Sequence, residues 1–357
     1  MKKKVTFSDI AKYTNFSKTT ISRYFNNPQS LTEETKNKIK EALTILDYKE
    51  NKVAKCLANG KTEIIGVIVP NLFLDYYSKI LNDIINTYPK NKYKFLVFLG
   101  HSDPKQEMNY IKELMAYQIE GLIILTHSIS SETLRDLDIP IVGIEREDKY
   151  ISSVNSNNYS GSYEAVNLLV ENKCDELFHI NNLPNEKIAA YDRIKAFENV
   201  CNENNKEPHF YFRDFNESYD DTYKELFNIY KEIESNFPNC KKGIFLSNDI
   251  YANIFLNILV LNNKKTPEEY EVIGFDNSPI SSQSIIPITT VGQDLNLIVD
   301  NAMSVLIKQI NSRKEKISCD IEHVNIETKL IKRKTTLEIF YYLKNSFCNF
   351  MLCKSYF

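Results

Sequence analysis

Apolar residues recur at helical spacing through the first fifty positions, then give way to short unbroken apolar runs. Ile10 with Ala11, Phe16, and Ile21 with Phe25 mark the inner faces of two short helices and their tight turn within residues 5–27. Leu31, Ile39, Ala42 and Leu46 carry that face onto a third helix, which predicts a three-helix miniature core. From Thr62 onward, strands are predicted at 64–69, 95–99, 121–125, 141–144, 177–180, 210–212, 243–246 and 271–274. Helical stretches fall between them, at 76–88, 105–116, 160–171, 188–203 and 219–235. Strands that are apolar without alternation, separated by helices, predict an α/β architecture with parallel sheets covered on both faces. The number of units predicts two such sheets, joined near 154–158 and again near 288–293. Ligands of such sheets bind beyond the carboxyl ends of the strands.

The polar positions of the first fifty residues narrow the picture. Thr6 and Ser17 stand where N-caps belong. Thr32 with Thr35 and the acidic pair Glu33-Glu34 opens the third helix, where negative charge complements the helix dipole. The outward positions of the second helix are Lys18, Thr19, Ser22 and Arg23. These types donate to base edges or phosphates, and arginine grips a guanine with two hydrogen bonds. A generic three-helix bundle shares the apolar pattern but has no need of that polar set. Further on, the segment 51–60 combines Asn51, Lys52 and Lys55 with small alanines, a single Leu57 and a final Gly60. Too short for a stable helix alone, it suits folding on DNA with Leu57 as a minor-groove wedge. The plainer alternative is a linker whose leucine packs on its own protein.

Charge agrees with this division. Residues 1–61 hold 13 Lys/Arg against 6 Asp/Glu, a surplus of +7 that leaves −10 for the remainder of a chain whose net charge is −3. A basic head on an acidic body places phosphate attraction at one end. The seven cysteines, at 56, 174, 201, 240, 319, 348 and 353, show no CxxC and no histidine at metal spacing, which predicts reduced thiols. The start MKKKVTFSDIAKY has no apolar run, so no secretory signal is expected and the expected location is cytoplasmic. No run reaches the ~18–20 apolar residues of a membrane span, and no membrane partner is expected. An enzyme is not expected either. The five histidines (101, 127, 179, 209, 323) lack metal spacing, no GxSxG, P-loop or GxGxxG is present, and nine glycines leave little for phosphate-cradling loops. His127 and Ser128 near a strand end suggest a catalytic pair, but capping or solvent contact accounts for them more simply. No cofactor and no metal are expected.

The head resembles the headpiece of the LacI/GalR family of bacterial transcription regulators. The resemblance rests on Val5-Thr6, Asp9-Ile10-Ala11, Phe16-Ser17, Thr20-Ile21-Ser22-Arg23, Asn26, Thr32-Glu33-Glu34-Thr35, Tyr48 and Asn51. It implies that Lys18, Thr19 and Arg23 read bases while Thr6, Ser17, Ser22 and Asn26 hold phosphates, with Thr20 on the same DNA-facing set. It also implies a hinge of Asn51, Lys52, Lys55 and Leu57, the leucine prying apart the central base step. Asn15 departs from the family's usual glycine in the turn, but asparagine tolerates the left-handed backbone. Glu50 replaces the usual proline.

The body is similar to the same family's two-lobed, periplasmic-binding-protein-like core, through IIGVIVP (64–70), GLIIL (121–125), IPIVGIER (139–146), SNDIYA (247–252), VIGFDN (272–277) and PITTVGQD (287–294). The implied organisation is 1–48 helix-turn-helix, 49–61 hinge, 62–157 with 291–320 as one lobe, 158–290 with 321–334 as the other, and 335–357 as an extra tail. Matching by motif nominates Tyr76, Tyr77, Glu145, Arg193, Asn248, Asp249, Asp276 and Gln293 for an effector, with Asp249 equally suited to capping its helix. Planar polar groups and aromatic faces suit a polyhydroxylated ligand. A lone headpiece contacts one half-site, so a homodimer on palindromic operator DNA is expected. The resemblance implies a repressor of carbohydrate uptake or utilisation genes, controlled by a sugar or sugar phosphate. A regulator governed by a phosphocarrier protein shares these features. A sugar-binding transport component shares the core but lacks the first sixty residues. In the tail, Ile339, Phe340, Leu343, Phe347, Phe350 and Met351 recur at helical spacing.

Overall fold

The computed structural model describes residues 5–49, 61–100, 103–146, 149–186, 188–215 and 218–337. The expected hinge residues Asn51, Lys52, Lys55 and Leu57, and the tail from 338, lie outside the described residues. The chain forms two compact units, Met1–Thr62 and Glu63–Phe357.

In the first unit, α1 (Phe7–Thr14) ends on Asn15 at φ 57°, the left-handed conformation that the turn was expected to need. The second helix, α2 (Lys18–Asn26), starts from Ser17, whose hydroxyl accepts from the Thr20 N–H at 3.0 Å. The third, α3 (Glu33–Ile45), starts from Thr32, which accepts from the Thr35 N–H at 3.3 Å. Ile10, Ile21, Ile39 and Ala42 are fully buried where the three helices meet. An aromatic cluster around Phe25 extends this core. Phe7 stacks on Phe25 at 5.1 Å, and Tyr48 closes on both rings at 5.9 and 5.8 Å.

The second unit begins with β1 (Ile64–Val69), α4 (Asp75–Asn86), α5 (Tyr88–Asn91), β2 (Lys94–Leu99), α6 (Pro104–Ala116) and β3 (Gly121–Ile124). Next come α7 (Ser131–Arg135), β4 (Ile141–Ile144), β5 (Ser152–Ser156), α8 (Asn158–Glu171), β6 (Glu176–Asn182) and α9 (Tyr191–Glu203). The chain continues through β7 (Pro208–Arg213), α10 (Tyr219–Asn236), β8 (Lys242–Leu246), α11 (Asp249–Leu261), β9 (Tyr270–Asp276) and α12 (Pro279–Gln283). It finishes with β10 (Thr289–Gly292), α13 (Leu295–Glu315), β11 (His323–Ile326) and β12 (Lys329–Ile331). Two six-stranded sheets result, in the orders β11-β5-β4-β3-β1-β2 and β12-β10-β9-β8-β6-β7. Every pairing is parallel except β10 with β12. The unbroken apolar strands follow from helices on both faces. Leu295, Ile298, Val299, Ala302, Met303, Leu306 and Ile310 of α13, for example, form a buried stripe on the first sheet.

Three segments cross between the lobes, and two of the expected boundaries move. The first crossing follows β5. The boundary expected at 290/291 shifts past Gly292, because β10 hydrogen-bonds along β9 in the second sheet. The boundary expected at 320/321 shifts past Ile326, because β11 adds to β5 in the first sheet. Composition hid these strands. All five residues of β5 (SSVNS) are buried, and its polar side chains are satisfied internally. Ser152 accepts from Gln309 at 2.7 Å, Ser153 pairs with His323 at 2.9 Å, and the Asn155 amide brackets the Arg146 backbone at 2.9 Å on both sides.

Candidate functional site

The carboxyl ends of the strands in both sheets face one cleft, with about 830 Å³ of empty volume including its open mouth. Seven of the eight nominated residues line it: Tyr76, Tyr77, Glu145, Arg193, Asn248, Asp276 and Gln293. Asp249 does not, which corrects its nomination. It is fully buried beneath the wall, where its carboxylate accepts from the Ser278 N–H at 2.7 Å, the Ser278 hydroxyl at 3.1 Å and the Thr290 hydroxyl at 2.6 Å. The missing side chain of Gly274 makes room for it, since a Cβ there would collide with Asp249 Oδ1.

The cleft floor is one hydrogen-bonded network running through the crossovers. Glu145, at the end of β4, accepts from the Ser156 N–H at 2.6 Å and from the Asn158 amide at 2.8 Å. Asn158 Oδ1 in turn accepts from Arg193 Nε at 2.8 Å. Arg193 also donates to the Ser247 carbonyl at 2.5 Å and lays its guanidinium over the Phe275 ring at 3.5 Å. On the neighbouring crossover, Gln293 accepts from the Ser156 hydroxyl at 2.5 Å and donates to Asp276 at 2.7 Å. Two of the carboxylates stand on backbone that L residues seldom adopt, Glu145 at φ 55° and Asp276 at φ 106°. Burial lifts the Asp276 carboxyl well above its ordinary range, with Arg193 pulling it back. Burial likewise lowers the Arg193 value, opposed by Asp276 and Glu145.

Several lining residues were not legible as such: Leu74, Asn181, Asn182, Ser247 and, above all, His127. His127 is not a cap, because Ser130 caps α7. It sits on the cleft wall just beyond β3, and burial with help from Arg146 drops its value to about 3, leaving a neutral imidazole. The signal available in the sequence was position alone, since each of these residues lies at or beyond the carboxyl end of a strand.

In the first unit, Lys18, Thr19 and Arg23 are exposed on α2, with Asn26 exposed on its last turn. The hydroxyls expected on phosphates already have partners. The Thr6 N–H and hydroxyl both donate to Asp9 Oδ2, at 2.9 and 2.7 Å. Ser17 and Thr20 share a hydrogen bond at 2.9 Å, and Ser22 accepts from the Asn26 amide at 3.2 Å. Each hydroxyl keeps further lone-pair or donor capacity. No helix among the described residues is long and apolar enough to cross a membrane, and no cluster of His, Cys, Asp and Glu among them is placed to hold a metal.

Residues 6–51 match the bacterial regulatory proteins of the lacI family, and residues 166–336 match the periplasmic binding protein-like domain. The chain is 29% identical to the sucrose operon repressor of Streptococcus mutans, over 85% of this chain and 92% of that protein. It is also 29% identical to catabolite control protein A of Staphylococcus aureus, over 87% of this chain and 94% of that protein. Its fold is that of the lac repressor dimer bound to operator and the anti-inducer ONPF (TM-score 0.81, 23% identity), a likeness covering 94% of this chain and all of that one.

Proposed function

The chain belongs to the LacI family of bacterial regulatory proteins, and from that premise we propose a homodimeric repressor of carbohydrate genes whose operator affinity follows a sugar in the inter-lobe cleft. Lys18, Thr19 and Arg23 read bases, and Thr6, Ser17, Ser22 and Asn26 hold phosphates, with Thr20 on the same DNA-facing set. Asn51, Lys52, Lys55 and Leu57 form the hinge that docks on the minor groove. The effector set is Tyr76, Tyr77, Glu145, Arg193, Asn248, Asp276 and Gln293.

One observation carries the regulatory half: Gln293 and Asn158 each sit on a crossover and each hold a cleft group, Asp276 and Arg193 respectively. A ligand that hydrogen-bonds with Asp276 or Arg193 therefore changes what the crossover residues hold. That gives the bound molecule a different free energy in each arrangement of the lobes, which is what a population shift requires.

The test is fluorescence anisotropy with the full chain and inverted repeats found upstream of its gene. One such repeat is expected to outcompete random DNA at moderate salt, and Arg23→Ala is expected to lose about 1–3 kcal/mol of discrimination at a single base pair. A chain that prefers no sequence with or without sugar refutes the proposal. The likeness to catabolite control protein A supports a second reading, control by a phosphocarrier protein; titrating that partner onto the operator complex without sugar separates the two.

A further inference from the structure

The second unit begins at Glu63, shortly past the segment expected to form the hinge. The backbone there is left-handed, at φ 55°, a conformation that a glutamate keeps only where its surroundings impose it. Glu120, just ahead of β3, supplies that constraint. Its carboxylate accepts from the Glu63 N–H at 2.8 Å, and its own N–H donates to the Ile64 carbonyl at 2.8 Å. The register of β1 on β3 starts at Ile65 with Gly121, so the Glu120 side chain carries the pairing back to the unit's first residue. From the other side, the Lys94 N–H donates to the Glu63 carbonyl at 2.8 Å.

Glu120 is itself held from far along the chain. Lys314, in the last turn of α13, donates to its second carboxylate oxygen at 2.5 Å, and the Tyr93 hydroxyl hydrogen-bonds with the same ammonium. This pair differs from others that α13 makes. Glu322 and Asp138, which face Lys308 and Arg313, are 33% and 91% exposed, whereas Glu120 is 10% exposed. Solvent-screened pairs contribute little, but a shielded carboxylate bonded to both a backbone N–H and an ammonium is firmly placed. The other end of α13 lies at the cleft. The helix starts from its Asp294 cap, next to Gln293, which accepts from Ser156 and donates to Asp276. It then runs 21 residues, about 30 Å, along the first sheet. One unbroken helix has the cleft crossover at its head and the clamp on Glu63 at its foot.

We infer that Glu120 is a positioning residue for operator binding, a role that presupposes the operator-binding reading. Held by Lys314, it fixes the backbone at the point where the chain leaves the core toward the hinge. Any displacement of the crossover at Gln293 reaches it through α13, since packed helices pass on shifts of about 1–2 Å as rigid bodies.

The experiment pairs hydrogen exchange at residues 62–65 with DNA titration of the full chain, using its preferred inverted repeat and random DNA. Glu120→Ala and Lys314→Met are each expected to speed exchange of the Glu63 amide at least about 10-fold. Each should also weaken binding to the inverted repeat about 10-fold while random DNA binds unchanged. Lys314→Arg should keep native values. So should Lys308→Met, which breaks an ion pair of the same helix away from Glu63. Gln293→Ala, at the cleft end, should alter exchange at Glu63 in the native background and have no effect on it beside Lys314→Met. Native operator affinity in a folded Glu120→Ala or Lys314→Met chain overturns the inference and leaves the operator-binding reading standing. An equal loss in Lys308→Met, or a Gln293→Ala response that survives Lys314→Met, overturns it too. If the native chain prefers no inverted repeat, the operator-binding reading itself falls.

Discussion

The two walls of the cleft differ in how much of their chemistry is finished. The wall of the second lobe is complete: Arg193 is bonded and stacked, Asn248 accepts from the Tyr251 N–H at 2.9 Å, and Asp249 clamps Ser278 and Thr290 from below. The wall of the first lobe is unfinished. Tyr76, His127 and Ser128 present buried polar atoms with no partner among the described residues. An unpaired buried group costs about 1–3 kcal/mol, so this wall carries a standing penalty. Under the proposed function, the finished wall is the one that positions a sugar.

Three substitutions put that contrast at risk. The largest effect is expected from the support beneath the finished wall. Burial lifts the Asp249 carboxyl from 3.8 to about 7, against three hydrogen bonds that favour its charged form. The folded chain keeps this proton at pH values where the unfolded chain has released it. The stabilisation is complete below about pH 4 and fades as pH rises toward about 7. Urea titrations should show the native chain losing stability relative to Asp249→Asn across that window; parallel profiles would mean that the carboxyl titrates normally. Next comes Arg193→Ala. Loss of its charged hydrogen bonds should weaken sugar binding about 100-fold and lower the melting temperature as well, because Asp276 and Glu145 lose their cation. The smallest effect, and the most diagnostic, is Tyr76→Phe. Sugar affinity should fall about 5-fold while unfolding free energy rises by up to about 1 kcal/mol, since the deleted hydroxyl had no partner. A drop in both would place a hidden partner on that hydroxyl and erase the difference between the walls.

The same contrast explains what was legible in the sequence. The three-helix head was recoverable from spacing and caps, down to the left-handed turn at Asn15. The apolar strands and most helices were equally plain, because burial on both faces leaves an unmistakable run. Polar strands were not: β5 is buried throughout yet spells SSVNS, and its partners lie far along the chain at Gln309 and His323. In the cleft, Arg193, Asp276, Glu145 and Gln293 stood out because motifs carry them. Asp249 was misplaced because a carboxylate after a strand suits a ligand and a buried clamp alike. His127 and Ser128 were passed over because an unfinished site leaves no pattern; it becomes visible only when the surrounding bonds can be traced and found missing.

Because three separate strands of chain pass between the lobes, neither lobe is contiguous in sequence. The first lobe waits for α13 and β11, whose Leu295, Ile298, Leu306 and Ile326 belong to its core. The second waits for β12 to cover the edge of β10. A polypeptide emerging from the ribosome thus has no finished sensor until nearly its last described residue, whereas the basic head closes from its first fifty. In each newly made molecule the head can therefore close while both lobes still lack strands that complete them.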